Sequence, residues 1–210
     1  MNSPAGFGVV ELNLRTEDFY GLAEKLSKWK LDPRIRLMKN GKILGFIQGL
    51  RLSAELAYII RKIVSPYPLD VSWGHLVDEN GMSCSPECDI IIHKPGFIQE
   101  WNGSSEPIMN FKFIQCTNAL AVISCKSFIH SVDKTYCQNF TKYNLKNMFL
   151  FAECCKPRAV ARLTAQAGAA GYRGFFYLYT FETKQSIINR DSRIYQQFIE
   201  AVIDAAKKGS

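Results

Sequence analysis

An α/β fold, with helices flanking a mixed central β-sheet, is predicted by two features of the sequence. Short apolar or aromatic runs recur between turn signals from residue 69 onward, and stretches with helical periodicity stand before, between and after them. A chain of 210 residues, 47% hydrophobic and 21% charged, is long enough to bury one well-packed core.

The elements follow in order. Thr16 to Trp29 places Phe19, Leu22, Ala23 and Leu26 on one helical face, with Glu17 and Asp18 in the first turn where the helix dipole favours them; Asp32-Pro33 stops the helix. After the turn signal Lys39-Asn40-Gly41-Lys42, Gly49 to Val64 carries Leu52, Leu56, Ile59, Ile60 and Ile63 at helical spacing, and Ser65-Pro66 closes it. Strands are predicted at Val71 to Val77, Asp89 to His93, Ile108 to Cys116, Ala121 to Lys126, Asn147 to Cys154 around Leu150-Phe151-Ala152, and Phe175 to Phe181. A helix from Pro157 to about Ala169 separates the last two strands, and Ser192 to Lys208 forms a terminal amphipathic helix with lysines in its last turn. The chain divides into a basic N-terminal helical extension, 1–48, and an α/β domain, 49–210.

Charge is unevenly spread. Ten basic residues against three acidic ones lie between Glu24 and Lys62, which accounts for the whole net charge of +7. Such a segment fits contact with nucleic-acid phosphates, since lysine and arginine gain affinity there by releasing counterions; Lys25, Lys28, Lys30, Arg61 and Lys62 are the candidate contacts. The competing reading is a solvated basic face. No apolar run reaches membrane-span length, and Met1-Asn2-Ser3-Pro4 lacks the features of a secretory signal, so a soluble, cytoplasmic protein with no membrane partner is expected. Seven cysteines, an odd number, then argue for reduced thiols. Cys84, Cys88 and His93 form only a partial zinc pattern, and core or loop cysteines explain them better.

Two charges stand where strands normally exclude them. Asp89 opens the run Asp89-Ile90-Ile91-Ile92-His93, and Lys126 ends Ala121-Val122-Ile123-Ser124-Cys125-Lys126. Desolvating either charge without a partner is costly, and adjacent strands lie about 4.8 Å apart, so the two can meet at one sheet edge. A carboxylate that holds Mg²⁺ beside a lysine that stabilises developing charge is a set suited to metal-dependent phosphodiester hydrolysis.

With Glu55 on the preceding helix, these residues resemble the PD-(D/E)XK, or restriction-endonuclease-like, nuclease superfamily. Its core order of helix, three strands, helix and strand matches the layout from about Gly49 to Phe181. The resemblance implies a restriction-endonuclease-like core and a Mg²⁺-dependent endonuclease, with Mn²⁺ as an alternative ion. It also implies DNA as substrate with RNA as the alternative, and microbial, antiviral defence as the setting. Asp89 would be the metal-binding aspartate, Lys126 the catalytic lysine and Glu55 the helix carboxylate completing the metal site. The family's usual Glu or Asp two residues before the lysine is Ser124 here. Some members with serine there take the missing carboxylate from elsewhere in the fold, with Glu55 the first candidate and Asp133 the second. A homodimer or a controlling partner subunit would be in keeping with such nucleases.

Each residue also has a plainer role. Asp89 can cap a turn, Glu55 can be a solvated residue on an amphipathic helix, and His93 can be a satisfied structural histidine. Glu87, two residues before Asp89, shares its face on an extended strand and is either a ligand or a solvated neighbour. Trp73 and Trp101 can stack on bases or pack in the core. The second functional reading is a non-catalytic nucleic-acid-binding or assembly module with a degenerate nuclease fold, which Ser124 favours.

Overall fold

The computed structural model describes residues 9–32, 41–96, 99–101, 111–183 and 185–208. Two long helices come first, α1 (Val9–Leu31) and α2 (Gly41–Val64). Strands β1 (Asp70–Val77), β2 (Cys88–His93), β3 (Gln99–Trp101), β4 (Phe111–Gln115) and β5 (Ala119–Ile129) follow. The short α3 (Gln138–Thr141) leads to β6 (Met148–Cys155), α4 (Val160–Ala169), β7 (Gly174–Glu182), β8 (Gln185–Ile188) and α5 (Ser192–Lys207).

Among the described residues the strands form one mixed sheet in the order β3-β4-β1-β2-β5-β6-β7-β8. β5, β6 and β7 run parallel, β4 is parallel to β1, and the remaining neighbours pair antiparallel. The expected α/β class and mixed sheet are therefore present. The sequence pattern missed β3, β8 and α3, which are too short to carry a period.

Apolar side chains from α1, α2 and α5 cover one face of the sheet, with Phe19, Leu26, Leu56, Ile60, Phe198 and Val202 in the same buried cluster as Ile90, Ile123 and Phe151. A second cluster, with Leu163 and Ala167 of α4 and Phe140 of α3, covers the other face over Ile91, Val122 and Leu150. Alternation along each strand supplies both layers. The N-terminal segment is not an appendage. Phe19, Leu22, Ala23 and Leu26 of α1 are buried in the first cluster, and the boundary expected at 48/49 falls inside α2. Among the described residues no helix is long and apolar enough to cross a membrane. All seven cysteines are free.

One irregularity positions the site. Between the pairs Ser72↔Ile91 and Gly74↔Cys88 the β1–β2 register shifts, so that Trp73 on β1 opposes both Asp89 and Ile90 on β2. This is a β-bulge, which bends its strand and re-aims the bulged side chains. Ile90 and Ile92 face the α2 layer while Ile91 and Cys88 face the other, so alternation breaks at Asp89. Gly74 is required beside the bulge: its φ is +153°, and a Cβ there would lie 1.8 Å from the Lys112 carbonyl oxygen.

Candidate active site

Along α2, every fourth residue from Gly45 through Gly49, Ser53 and Ala57 is small, and Arg61 ends the series. Residues spaced by four lie on one helical face, so this face is a shallow trough. It forms one wall of a cleft of about 300 Å³. Phe46, Leu50 and Ala54 of the same helix flank the trough, and Ser72, Trp73, Glu87, Asp89, Lys126 and Tyr136 line the cleft from the sheet side.

Asp89 is half-buried, and its Oδ2 accepts a 2.8 Å hydrogen bond from the Cys125 backbone N–H, which ties β2 to β5 at the cleft floor. Burial raises the Asp89 pKa above the usual carboxylate value, opposed by the Cys125 bond and by Lys126, and assisted by the Glu87 charge. Glu87, exposed at the mouth, accepts a 2.6 Å hydrogen bond from the Trp73 indole N–H. The bulge therefore serves both strands, because Trp73 fixes Glu87 next to the turned-in Asp89. The Tyr136 hydroxyl donates to the Glu87 carbonyl at 3.5 Å, and burial, then Cys88 and Asp89, hold its phenol protonated. Lys126 lines the cleft from the exposed part of β5.

Glu55 is not with these residues. Its carboxylate pairs with Lys25 of α1, and it does not line the cleft, because it lies off the small-residue face of α2 that does. The carboxylate that joins Asp89 is Glu87. Asp133 stands outside the cleft lining too: its Oδ1 accepts 2.8 Å bonds from Thr135 N–H and Oγ1–H, which lower its pKa, with a smaller contribution from Lys126. Ser124 is fully buried, away from the cleft lining, and its hydroxyl completes no hydrogen bond although the Tyr172 phenol lies near it. It occupies the layer of Val122 and Leu150, so it is a core position rather than a reacting group.

The basic residues separate as well. Arg61 lines the cleft and donates to the Val71 carbonyl at 2.9 Å; burial lowers its pKa, opposed by Asp70. Lys30 is internal. Its ammonium lies 3.0 Å from Cys154 Sγ and 3.8 Å from the buried Glu153 carboxylate, over the rings of Phe128 and Phe181. Lys25 pairs with Glu55, Lys62 with Asp18 at 3.2 Å and Lys28 with Glu24 at 3.9 Å. Much of the basic segment thus knits α1 to its neighbours, and the expected phosphate-facing series reduces in the cleft to Arg61.

His93 is structural. Its Nδ1–H donates to the Lys94 carbonyl at 2.7 Å, so its Nε2 accepts from Ser72 Oγ–H at 2.9 Å, and burial holds its pKa down. Cys88 Sγ turns to Ser85 and Pro86, and Cys84 Sγ to the Met82 carbonyl. Among the described residues no group of three or more His, Cys, Asp and Glu side chains is placed to hold a metal, so the partial zinc pattern does not assemble. The Trp101 side chain lies outside the described part of the chain. Tyr136, the Trp73–Glu87 bond and the trough of α2 were missed from sequence. Of these, only the trough left a readable trace, in its spacing of four.

No protein-family model matches the chain, and no curated protein matches it. Among solved structures it is similar to NucC of P. aeruginosa ATCC27853 in a cAAA-bound form, at 8% identity over 97% of this chain and 98% of that one, with a TM-score of 0.53. E. coli MS115-1 NucC in its cAAA-bound form aligns over 99% of both chains at 10% identity with a TM-score of 0.45. Its apo form aligns over 75% of this chain and 97% of that one, at 10% identity and 0.39. The first of these alignments shows a shared fold, with a restriction-endonuclease-like core.

Proposed function

We propose that this chain is a divalent-metal-dependent nuclease that hydrolyses phosphodiester bonds of DNA, in microbial defence. The observation that carries this reading is the meeting of Asp89, Glu87 and Lys126 in one cleft against the small-residue face of α2. The fold shared with P. aeruginosa NucC, with its restriction-endonuclease-like core, supports the class, and the setting follows from the resemblance of Asp89, Lys126 and Glu55 to the nuclease pattern.

The donor set suits Mg²⁺ or Mn²⁺. Magnesium is held by one or two carboxylates and keeps the rest of its shell as waters and substrate phosphate oxygens, so a pair of carboxylates is sufficient. Asp89 and Glu87 would hold it. The buried Asp89 carboxylate, pushed toward its protonated form by burial and by Glu87, is a group that gains from a neighbouring cation. When bound, the ion supplies Lewis-acid polarisation of the phosphodiester and acidification of a water ligand.

The chain's own groups do the positioning. The Cys125 N–H holds one Asp89 oxygen, and the Trp73 N–H holds one Glu87 oxygen, so both carboxylates are fixed before substrate arrives. Lys126 presents an ammonium that bonds the attacking water or a non-bridging phosphate oxygen and offsets its growing negative charge. Arg61, at the other end of the trough, anchors a neighbouring phosphate. Two such sites are needed to cut both strands of a duplex, which suits a homodimer or a partner subunit.

The test is cleavage of plasmid, single-stranded DNA and RNA by wild type and Lys126→Ala, with Mg²⁺, Mn²⁺ or EDTA. Metal-dependent cutting that falls on the order of 10²–10³-fold in the variant is expected. Binding without cutting under every condition would instead favour the second reading, a nucleic-acid-binding module. The observation favouring that alternative is the buried Ser124 in place of a third carboxylate.

A further inference from the structure

The cleft does not end at Trp73. β1 and β4 pair in parallel with Trp73 opposite Phe111 and His75 opposite Phe113. Alternation puts all four rings on the same face of the sheet, where they form a two-by-two aromatic ladder. Trp73 and Phe111 meet edge to face at 5.0 Å, Phe111 and Phe113 at 5.3 Å, and His75 stacks on Phe113 at 6.2 Å. The His75 ring is fixed by its Nδ1–H, which donates to the Ser85 carbonyl at 3.1 Å. All four side chains stay half-buried rather than enclosed, unlike the rings of α1 and α5 on the same side of the sheet.

We infer that this ladder is a base-stacking platform for an unpaired nucleic-acid strand, which it leads into the cleft. The inference deepens the nuclease reading and rests on it for the direction of travel, since the ladder's first ring, Trp73, is bonded to Glu87. Aromatic faces accept any base, so a row of them binds single strands without sequence preference, whereas a duplex keeps its bases stacked inside. Charge agrees. Arg61 lines the cleft together with Trp73, the first ring of the row. A cation beside an aromatic row matches a strand's phosphates and bases together, which an apolar protein partner would not need.

The experiment is fluorescence anisotropy in EDTA with three probes of equal length: a labelled single strand, the same strand with abasic sites throughout, and a duplex. Wild type and the variants Phe113→Leu and Phe111→Leu, which keep apolar bulk and lose the flat ring, are compared. The single strand is expected to bind on the order of tenfold more tightly than the abasic strand, and each variant to lose most of that margin while abasic binding is unchanged. Equal binding of the abasic and base-bearing strands by wild type, which requires no variant to fold, overturns the platform. So does a self-association, seen by light scattering, that Phe113→Leu abolishes, because a second copy then covers the ladder. Cleavage with Mg²⁺ separates the two readings. Base-dependent binding without cutting keeps the platform and removes the nuclease, while cutting with no preference for base-bearing strands does the reverse.

Discussion

Replacing Lys30 with Met removes the cation from the most deeply buried charge cluster in the described chain. Glu153 is 1% exposed and the Lys30 side chain 14%, so solvent screens the pair little. Taking away one partner of a buried pair costs about 3–5 kcal/mol, because the remaining charge is stranded. The 3.8 Å separation is long for an ion pair, and the Tyr179 hydroxyl still donates to Glu153, so the lower end applies, about 3 kcal/mol at neutral pH. At this chain length that corresponds to a loss of about 6–12 °C in Tm. The sign with pH is fixed as well. Burial raises the Glu153 pKa against the opposing pull of Lys30 and Tyr179, so the folded state holds a proton to higher pH than the unfolded state does. In that window wild-type stability falls as pH rises. In Lys30→Met the window extends further upward, so the gap to wild type is widest near neutrality and closes toward the ordinary glutamate range. Urea unfolding from pH 4 to 8 measures it, and adding Glu153→Gln should restore most of the loss. A loss below about 1 kcal/mol at pH 7 would refute the reasoning and return Lys30 to the solvent, as a surface residue free for phosphate.

Glu87→Gln keeps an acceptor for the Trp73 N–H but removes a cleft charge. Its cleavage rate should fall on the order of 10²-fold, while Glu55→Gln, which breaks only a partly exposed pair with Lys25, should stay within about threefold; single-turnover kinetics on one substrate compares them. Because burial raises the Asp89 pKa and the ionised form is the one needed, kcat/KM should climb with pH through a midpoint above the ordinary aspartate range, and Asp89→Asn should erase that limb of the pH profile along with activity. Ser124→Ala removes a buried hydroxyl that completes no hydrogen bond, so stability should be unchanged or rise by about 1 kcal/mol in urea unfolding, with cleavage unaffected.

Asp89 and Lys126 were legible in the sequence for a physical reason: each is a charge at the edge of a run too apolar to hold it without a partner or solvent. The same local logic pointed to Glu87, since residues two apart on a strand share a face, and that pairing survives in the cleft. Glu55 came from family resemblance alone, and nothing local to its helix reveals that Lys25 of another helix claims its carboxylate. Lys30 is different, because its burial was within reach of the pattern. It follows Leu26 by four residues, on the same helical face as Phe19 and Ala23, and a lysine continuing a buried face calls for an internal carboxylate. Counting charges over the segment hid that distinction. Glu153 could not be named as the partner from sequence, because β6 reads as an unbroken apolar strand around it.

Two backbone choices far apart in the chain make the cleft. Strict alternation would have turned Asp89 to the face of Ile91, beneath α3 and α4, where a carboxylate meets a packed apolar layer. The bulge opposite Trp73 reverses that outcome, and beside it Gly74 lets β1 pass so close to Lys112 of β4 that no side chain fits. An aspartate turned toward α2 would still be shut in by an ordinary helix face, and there the small residues at 45, 49, 53 and 57 keep the space open. Neither feature has a use without the other. A glycine that costs a strand stability and a helical face that forgoes burial are local sacrifices, and both have one structural result: a carboxylate held half out of water, beside a second one, in an open cleft.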